Sequence, residues 1–308
     1  MPNFFVDTIT SDLRQIRHHW RNTQRPPGDI RGIEFPSRDT LAAIVGQLKG
    51  LLFPLRLGPP DLRQESEDIH VAHALDSALH ALLTQVGLDL RYGSALRGRP
   101  DEDVGAQALE ATRAFAAALP GIRAMLDSDV LAAFQGDPAA RSVDEVLLCY
   151  PGVQAVIHYR LAHCLYRLGL PLLARIVSEL AHAATGIDIH PGAVIGPSFF
   201  IDHGTGVVIG ETAVIGQRVR LYQAVTLGAR RFPAGADGAL LKDLPRHPVV
   251  EDDVVIYAGA TVLGRITVGR GAVISGNVWL THDVAPGGRV TQAASREDAF
   301  ILGAERHE

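Results

Sequence analysis

An apolar residue returns at every sixth position through much of the C-terminal half. The series is Ile189, Ile195, Ile201, Val207, Ala213, Val219 and Val225, then after a break Val250, Ile256, Val262, Val268, Ile274 and Leu280. A period of six matches neither a helix nor a plain strand. It is the period of a parallel β-helix, in which each hexapeptide makes one short strand and a turn and three faces close a coil of about 18 residues. The hexapeptide form winds left-handed, a known exception to the right-handed rule for parallel crossovers. From Val225 to Val250 the count runs one residue beyond four hexads. The segment 228–247 is rich in Gly, Pro and Arg and is therefore expected to leave the coil as a loop.

Upstream the periodicity is helical. A short helix and an irregular link are expected over 1–36. Ser37 can cap a helix carrying Leu41, Ile44, Val45 and Leu48, stopped by Pro54. Further helices are expected over 62–90, 101–119, 121–134, 142–149, 151–168 and 171–184, with Pro151 and Pro171 in first turns and Gly186 closing the run. The expected fold is α+β: an all-α domain over 1–185, a left-handed β-helix over 186–285 with its loop, and a tail over 286–308.

Charge and composition narrow the function. At 47% hydrophobic, 20% charged and formal net charge −5, the chain has no nucleic-acid footprint. No apolar run reaches the length of a membrane span, and the N-terminus lacks a signal-type core. Cys149 and Cys164 read as buried thiols in a reducing cytoplasm. His70 and His73 share a helix, but no carboxylate or cysteine completes a ligand set, and no metal is expected.

Within the coil, FFIDHGTGVVIGETAVIG (199–216) resembles the signature of the serine acetyltransferases, hexapeptide acyltransferases of the cysteine pathway. IDIHPGAVIG (187–196), PRHP (245–248) and Gly136-Asp137-Pro138 match that family in the same order. The resemblance covers about 130–285 and implies acetyl transfer from acetyl-CoA to serine. A hydroxyl is a weak nucleophile and needs a base. The resemblance makes His203 that base and Asp188 its orienting carboxylate, and their 15-residue separation, near one coil, suits the pairing. It assigns Asp137 and Asp202 to the serine ammonium, Arg246 to its carboxylate, His247 to the hydroxyl or the tetrahedral intermediate, and Glu211 to support. His190 reads as part of a turn. Ala258 and Gly276 match positions along the pantetheine arm. Gly228 and Ala229 stand where the family often has Gly-Gly-Thr, with Arg230 third, and a lysine common before the last coil is Val273. Arg230, Arg231, Lys242 or Arg270 could meet phosphate instead.

Two other readings share the coil. Another hexapeptide acyltransferase, acting on homoserine, a sugar or another acyl-CoA, would keep His203 without needing Asp137, Asp202 and Arg246. A γ-carbonic-anhydrase-like enzyme would need three histidines on one zinc, and 190, 203, 247 and 282 lack that spacing. The resemblance implies a homo-trimer or a dimer of trimers, with the site between subunits. In common bacterial members a terminal isoleucine enters O-acetylserine sulfhydrylase. Here the tail reads as a short helix with Ser295 as cap and Ala299, Phe300 and Leu302 apolar, and it ends in Glu308. No tight tail-mediated complex with the sulfhydrylase is expected.

Overall fold

The computed structural model describes residues 4–23, 34–98, 103–235, 238–242 and 244–292. The tail reading, with Ser295, Phe300 and Glu308, lies outside the described residues. Eight helices come first among them: α1 (Val6–Thr23), α2 (Arg38–Leu52), α3 (Pro54–Leu57), α4 (Glu67–Leu96), α5 (Val104–Gly136), α6 (Val143–Cys149), α7 (Pro151–Arg167) and α8 (Pro171–Thr185). Ser37 caps α2 by accepting from the Thr40 amide, and Ser142 caps α6 by accepting from that of Glu145. Gly186, at φ 69°, ends α8 in the left-handed conformation that suits glycine.

The two helices expected over 101–134 are one. α5 runs through Pro120, which lacks the N–H that would bond the Ala116 carbonyl, and the proline itself is exposed on the helix surface. Cys149 is exposed at the end of α6 rather than buried, while Cys164 is half-buried and its thiol is pushed up to about 11 by desolvation.

Short strands follow in a left-handed parallel β-helix. They are β1 (Asp188–Ile189), β2 (Val194–Ile195), β3 (Phe200–Ile201), β4 (Val208–Ile209), β5 (Val214–Ile215), β6 (Arg220–Leu221) and β7 (Thr226–Gly228). After the loop come β8 (Val249–Val250), β9 (Val255–Ile256), β10 (Thr261–Leu263), β11 (Thr267–Val268), β12 (Val273–Ile274), β13 (Trp279–Leu280) and β14 (Arg289–Val290). Face A stacks β1-β4-β7-β10-β13, face B stacks β2-β5-β8-β11 and face C stacks β3-β6-β9-β12-β14. The coil thus continues past residue 285 by one strand, β14 on β12.

Before the loop the hexad phase slips once. Ile201 is followed in the strand register by Ile209, not Val207, because the turn over 202–206 holds two extra residues; Asp188 pairs with Val208 and Phe200 with Arg220. Downstream of it Ile209, Ile215, Leu221 and Leu227 point inward from strands. Val207, Ala213, Val219 and Val225 fill the second inward position of each hexad, beside the turn, and are fully buried too. The sixfold count survives on these residues, which hides the shift. Measured from Leu227, the next strand core residue is Val250, and the ladder step from Val214 to Val249 carries the extruded loop. Within it Ala234 and Leu240 form an antiparallel bridge.

Helices and coil share one continuous apolar core. The junction is pinned by α7. Arg160 forks onto Asp129 of α5 at 3.0 Å from two nitrogens and donates to the carbonyls of Ile195 and Gly196, while Asp129 accepts from the Phe199 amide. Both side chains are almost fully buried. Farther along α7, Tyr159 donates to Ala193 O and His163 to Pro191 O. Gly152 lets the start of α7 lie on β3: a Cβ there would come 2.2 Å from Ile201 O.

Candidate active site

Every turn between faces C and A lines up as one ridge, and every turn between faces A and B as another. The candidate residues divide between them.

The C–A ridge carries Asp202 and His203 in the lengthened turn. His203 has φ 58°, but Ser198, Arg218, Ala224, Asp253 and Asn277 lie between 56° and 63°, so it is the ordinary corner geometry of this coil rather than special strain. The ring is 73% exposed, with Nε2 3.9 Å from Asp202 Oδ1. Asp202 is buried and takes Arg220 on its other oxygen at 2.5 Å; Arg220 donates as well to Gly136 O, the last carbonyl of α5. The next residue, Asp137, accepts from Tyr150 Oη at 2.5 Å and from the Ala139 amide. Those hydrogen bonds, with Arg220 and His203 nearby, hold the Asp137 carboxyl below its usual range, and the same bond pushes Tyr150 up to about 12. Two carboxylates and an imidazole therefore face one small region, balanced by one guanidinium.

The A–B ridge carries the rest. Glu211 accepts from Arg246 at 2.6 Å and from Tyr166 of α7 at 3.2 Å. Thr212 Oγ1 accepts from the amides of Arg246 and His247, clamping the returning end of the loop to the coil. The Thr212 amide donates to His247 Nδ1 at 3.0 Å, which leaves the proton of the neutral ring on Nε2. Burial, with Arg246 beside it, pushes His247 down to about 4, so the ring is neutral near pH 7. It lies against Gly210, where a Cβ would meet its Cδ2 at 2.0 Å. His190 accepts the Gly192 amide on Nδ1 and is also pushed down to about 4 by burial. A cleft of about 320 Å³ opens beside Tyr166, Gly192, Glu211 and Thr212.

The donor-arm residues split the same way. Ala258 and Gly276 stack on the C–A ridge, close enough that a Cβ on Gly276 would lie 3.1 Å from Ala258 O. Gly228 and Ala229 sit where the loop leaves the A–B ridge; Gly228 accepts from Gly264, and a Cβ on it would meet Leu263 at 2.9 Å. Among the described residues no hydrogen bond or ion pair links His203, Asp202 or Asp137 to Glu211, Arg246 or His247. About four residues of face A at ~3.3 Å each separate the ridges, roughly 13 Å.

Asp188 is not joined to His203 by a hydrogen bond. It sits at the C–A end of β1, and its carboxylate lies with the side chains of Glu179 and His182, their ligand atoms within 4.8 Å of one another. Histidines 190, 203, 247 and 282 take no part in that group. Sequence reasoning missed Arg220 and Tyr150. Arg220 pairs in register with Phe200, two residues before Asp202, so no coil-length spacing marked the contact.

No family model matches the chain. A plasmid serine acetyltransferase of Synechococcus elongatus is 53% identical over 306 residues, 97% of this chain and 94% of that protein. The solved structure of Entamoeba histolytica serine acetyltransferase 1 with L-cysteine superposes at TM-score 0.70 and 40% identity, over 80% of this chain and 85% of that one. Neisseria gonorrhoeae serine acetyltransferase with serine superposes at TM-score 0.53 and 27% identity, over 80% and 94%.

Proposed function

The chain belongs to the serine acetyltransferase family and acetylates serine, and from that premise we propose how its two ridges share the reaction. The acceptor is the L-serine hydroxyl, the donor is acetyl-CoA, and the setting is the cytoplasm, which suits two unpaired cysteines. The observation that carries the reading is Asp137, delivered by the end of α5 beside Asp202 and His203. That pair of carboxylates fits an ammonium group, and the imidazole fits the neighbouring hydroxyl. A serine molecule spans about 5 Å, far less than the gap between ridges. Its carboxylate therefore meets the Arg246 fork of a second copy, and the enzyme is a trimer or a dimer of trimers whose sites lie between neighbours within each trimer.

In this arrangement His203 takes the hydroxyl proton as the oxygen attacks the thioester carbonyl. The C–S bond then breaks, and the thiolate leaves with the proton returned from His203. His247, neutral and protonated on Nε2, donates to the substrate oxygen or the tetrahedral oxyanion. Glu211, held by Tyr166, aims Arg246. Asp188 orients the His203 ring once that exposed ring turns from Asp202 toward β1. The pantetheine arm runs between Ala258 and Gly276 of one copy and Gly228 and Ala229 of the next. Cysteine, with sulfur in place of oxygen, occupies the serine position and competes with it.

Thiol release from acetyl-CoA with serine, homoserine and threonine tests the reading. Turnover with serine alone supports it; faster turnover with homoserine overturns the acceptor assignment.

A further inference from the structure

The helix α1 is unused by the catalytic account and has no buried residue. Val6, Ile9, Leu13, Ile16 and Trp20 are 63%, 52%, 48%, 64% and 66% exposed. A lone helix of this length is marginal in water, so something covers that face when it is stable. The apolar spacing is 3, 4, 3, 4, and every other position from Asp7 to Asn22 is polar. That is the narrow seam of a coiled coil, not the wider stripe of a helix that packs on a domain.

The seam's chemistry selects its occupant. With Val6, Leu13 and Trp20 at a and Ile9 and Ile16 at d, leucine at a beside isoleucine at d shifts the preference from two strands toward three or four. Asp12 then falls at g and Arg17 at the following e. Those positions of opposite charge face each other between neighbouring strands only when the strands are parallel and in register. A cyclic trimer presents its N-termini in parallel. We propose that the α1 helices of three copies form a parallel, in-register coiled coil closed by Asp12–Arg17 pairs. The inference rests on the trimer read from the split site, whose tether raises the effective concentration enough for so short a seam.

Hydrogen exchange over residues 6–23 of the full chain at micromolar concentration, with mass by light scattering, is the test. The wild type should be a trimer or a dimer of trimers with these amides slowed about tenfold or more. Ile16→Asp should abolish the protection and leave acetyl transfer unchanged. Asp12→Arg and Arg17→Asp should each weaken it, and the double variant should restore it. A wild-type trimer with freely exchanging amides overturns this inference alone, whereas a wild-type monomer overturns the split-site reading with it. Protection that the double variant does not restore overturns the parallel register. Protection that arises only with phosphatidylglycerol vesicles assigns the face to a membrane surface instead.

Discussion

His203 and Arg246 are the side chains on which the chemistry turns. Replacing His203 with alanine should lower turnover by roughly two to four orders of magnitude, the usual worth of a general base, with acetyl-CoA affinity nearly unchanged. Asp188→Asn should cost less, because the carboxylate acts only through the ring. Wild-type turnover in His203→Ala would remove the base assignment. Arg246→Lys should raise the serine KM strongly and weaken cysteine competition in parallel, since a point charge does not replace a fork; unchanged serine saturation would count against the model. Four histidines, His158, His163, His190 and His247, are pushed down by burial and set a pH dependence. His190 and His247 are each pushed down to about 4, so the unfolded chain binds their protons first as pH falls below about 6.5. Their contribution is complete above that pH and is lost on the way to 4. Asp89, buried and pushed up to about 6, works in the opposite sense between 3.8 and 6 and offsets part of the loss. Thermal midpoints from pH 7 to 4.5 should fall, and less steeply in His190→Asn, whose amide oxygen can keep the Gly192 bond. An equal slope in that variant would contradict the assignment.

At the scale of elements, α7 connects fold to site. Its face carries Tyr159, Arg160, His163 and Tyr166, each bonded to the coil, and Tyr166 reaches Glu211 and so Arg246. Asp129→Ala strands the buried Arg160 charge and should cost on the order of 3–5 kcal/mol in denaturant unfolding. A loss below about 1 kcal/mol would mean that the pair does not hold the junction. The coil was legible because six-residue periodicity has no helical or simple-strand counterpart. Its phase was not, because both inward positions of a hexad are apolar and the count passed from Ile201 to Val207 unbroken. The capping serine Ser37 and the first-turn prolines marked α2, α7 and α8 directly. Pro120 misled, because a proline that marks a helix end in most places sits here on the exposed surface of a helix that continues through it. The α1 seam was passed over as weak pattern, since its two and a half heptads stop short of the several that make a coiled coil obvious.

Across the whole molecule, one fact organises the rest: the candidate residues occupy two ridges of the coil that, among the described residues, no side-chain bond joins. The motif around Asp202 and His203 was readable as chemistry, while the division between ridges was not, because it depends on which turn each residue occupies. Arg220, which ties Asp202 to the end of α5, fell outside the reading for the same reason: it stands at an outward strand position that the core pattern ignores. A site shared between neighbours makes one demand that a self-contained site does not. Chains carrying His203→Ala have an intact A–B ridge, and chains carrying Arg246→Ala have an intact C–A ridge. Each variant alone should be nearly inactive. Co-expressed with different tags and purified as mixed trimers, they should regain about a third of wild-type serine acetylation, because a cyclic trimer holding both chains has one interface in three with both good ridges. Mixed trimers no more active than either variant alone would contradict the shared site.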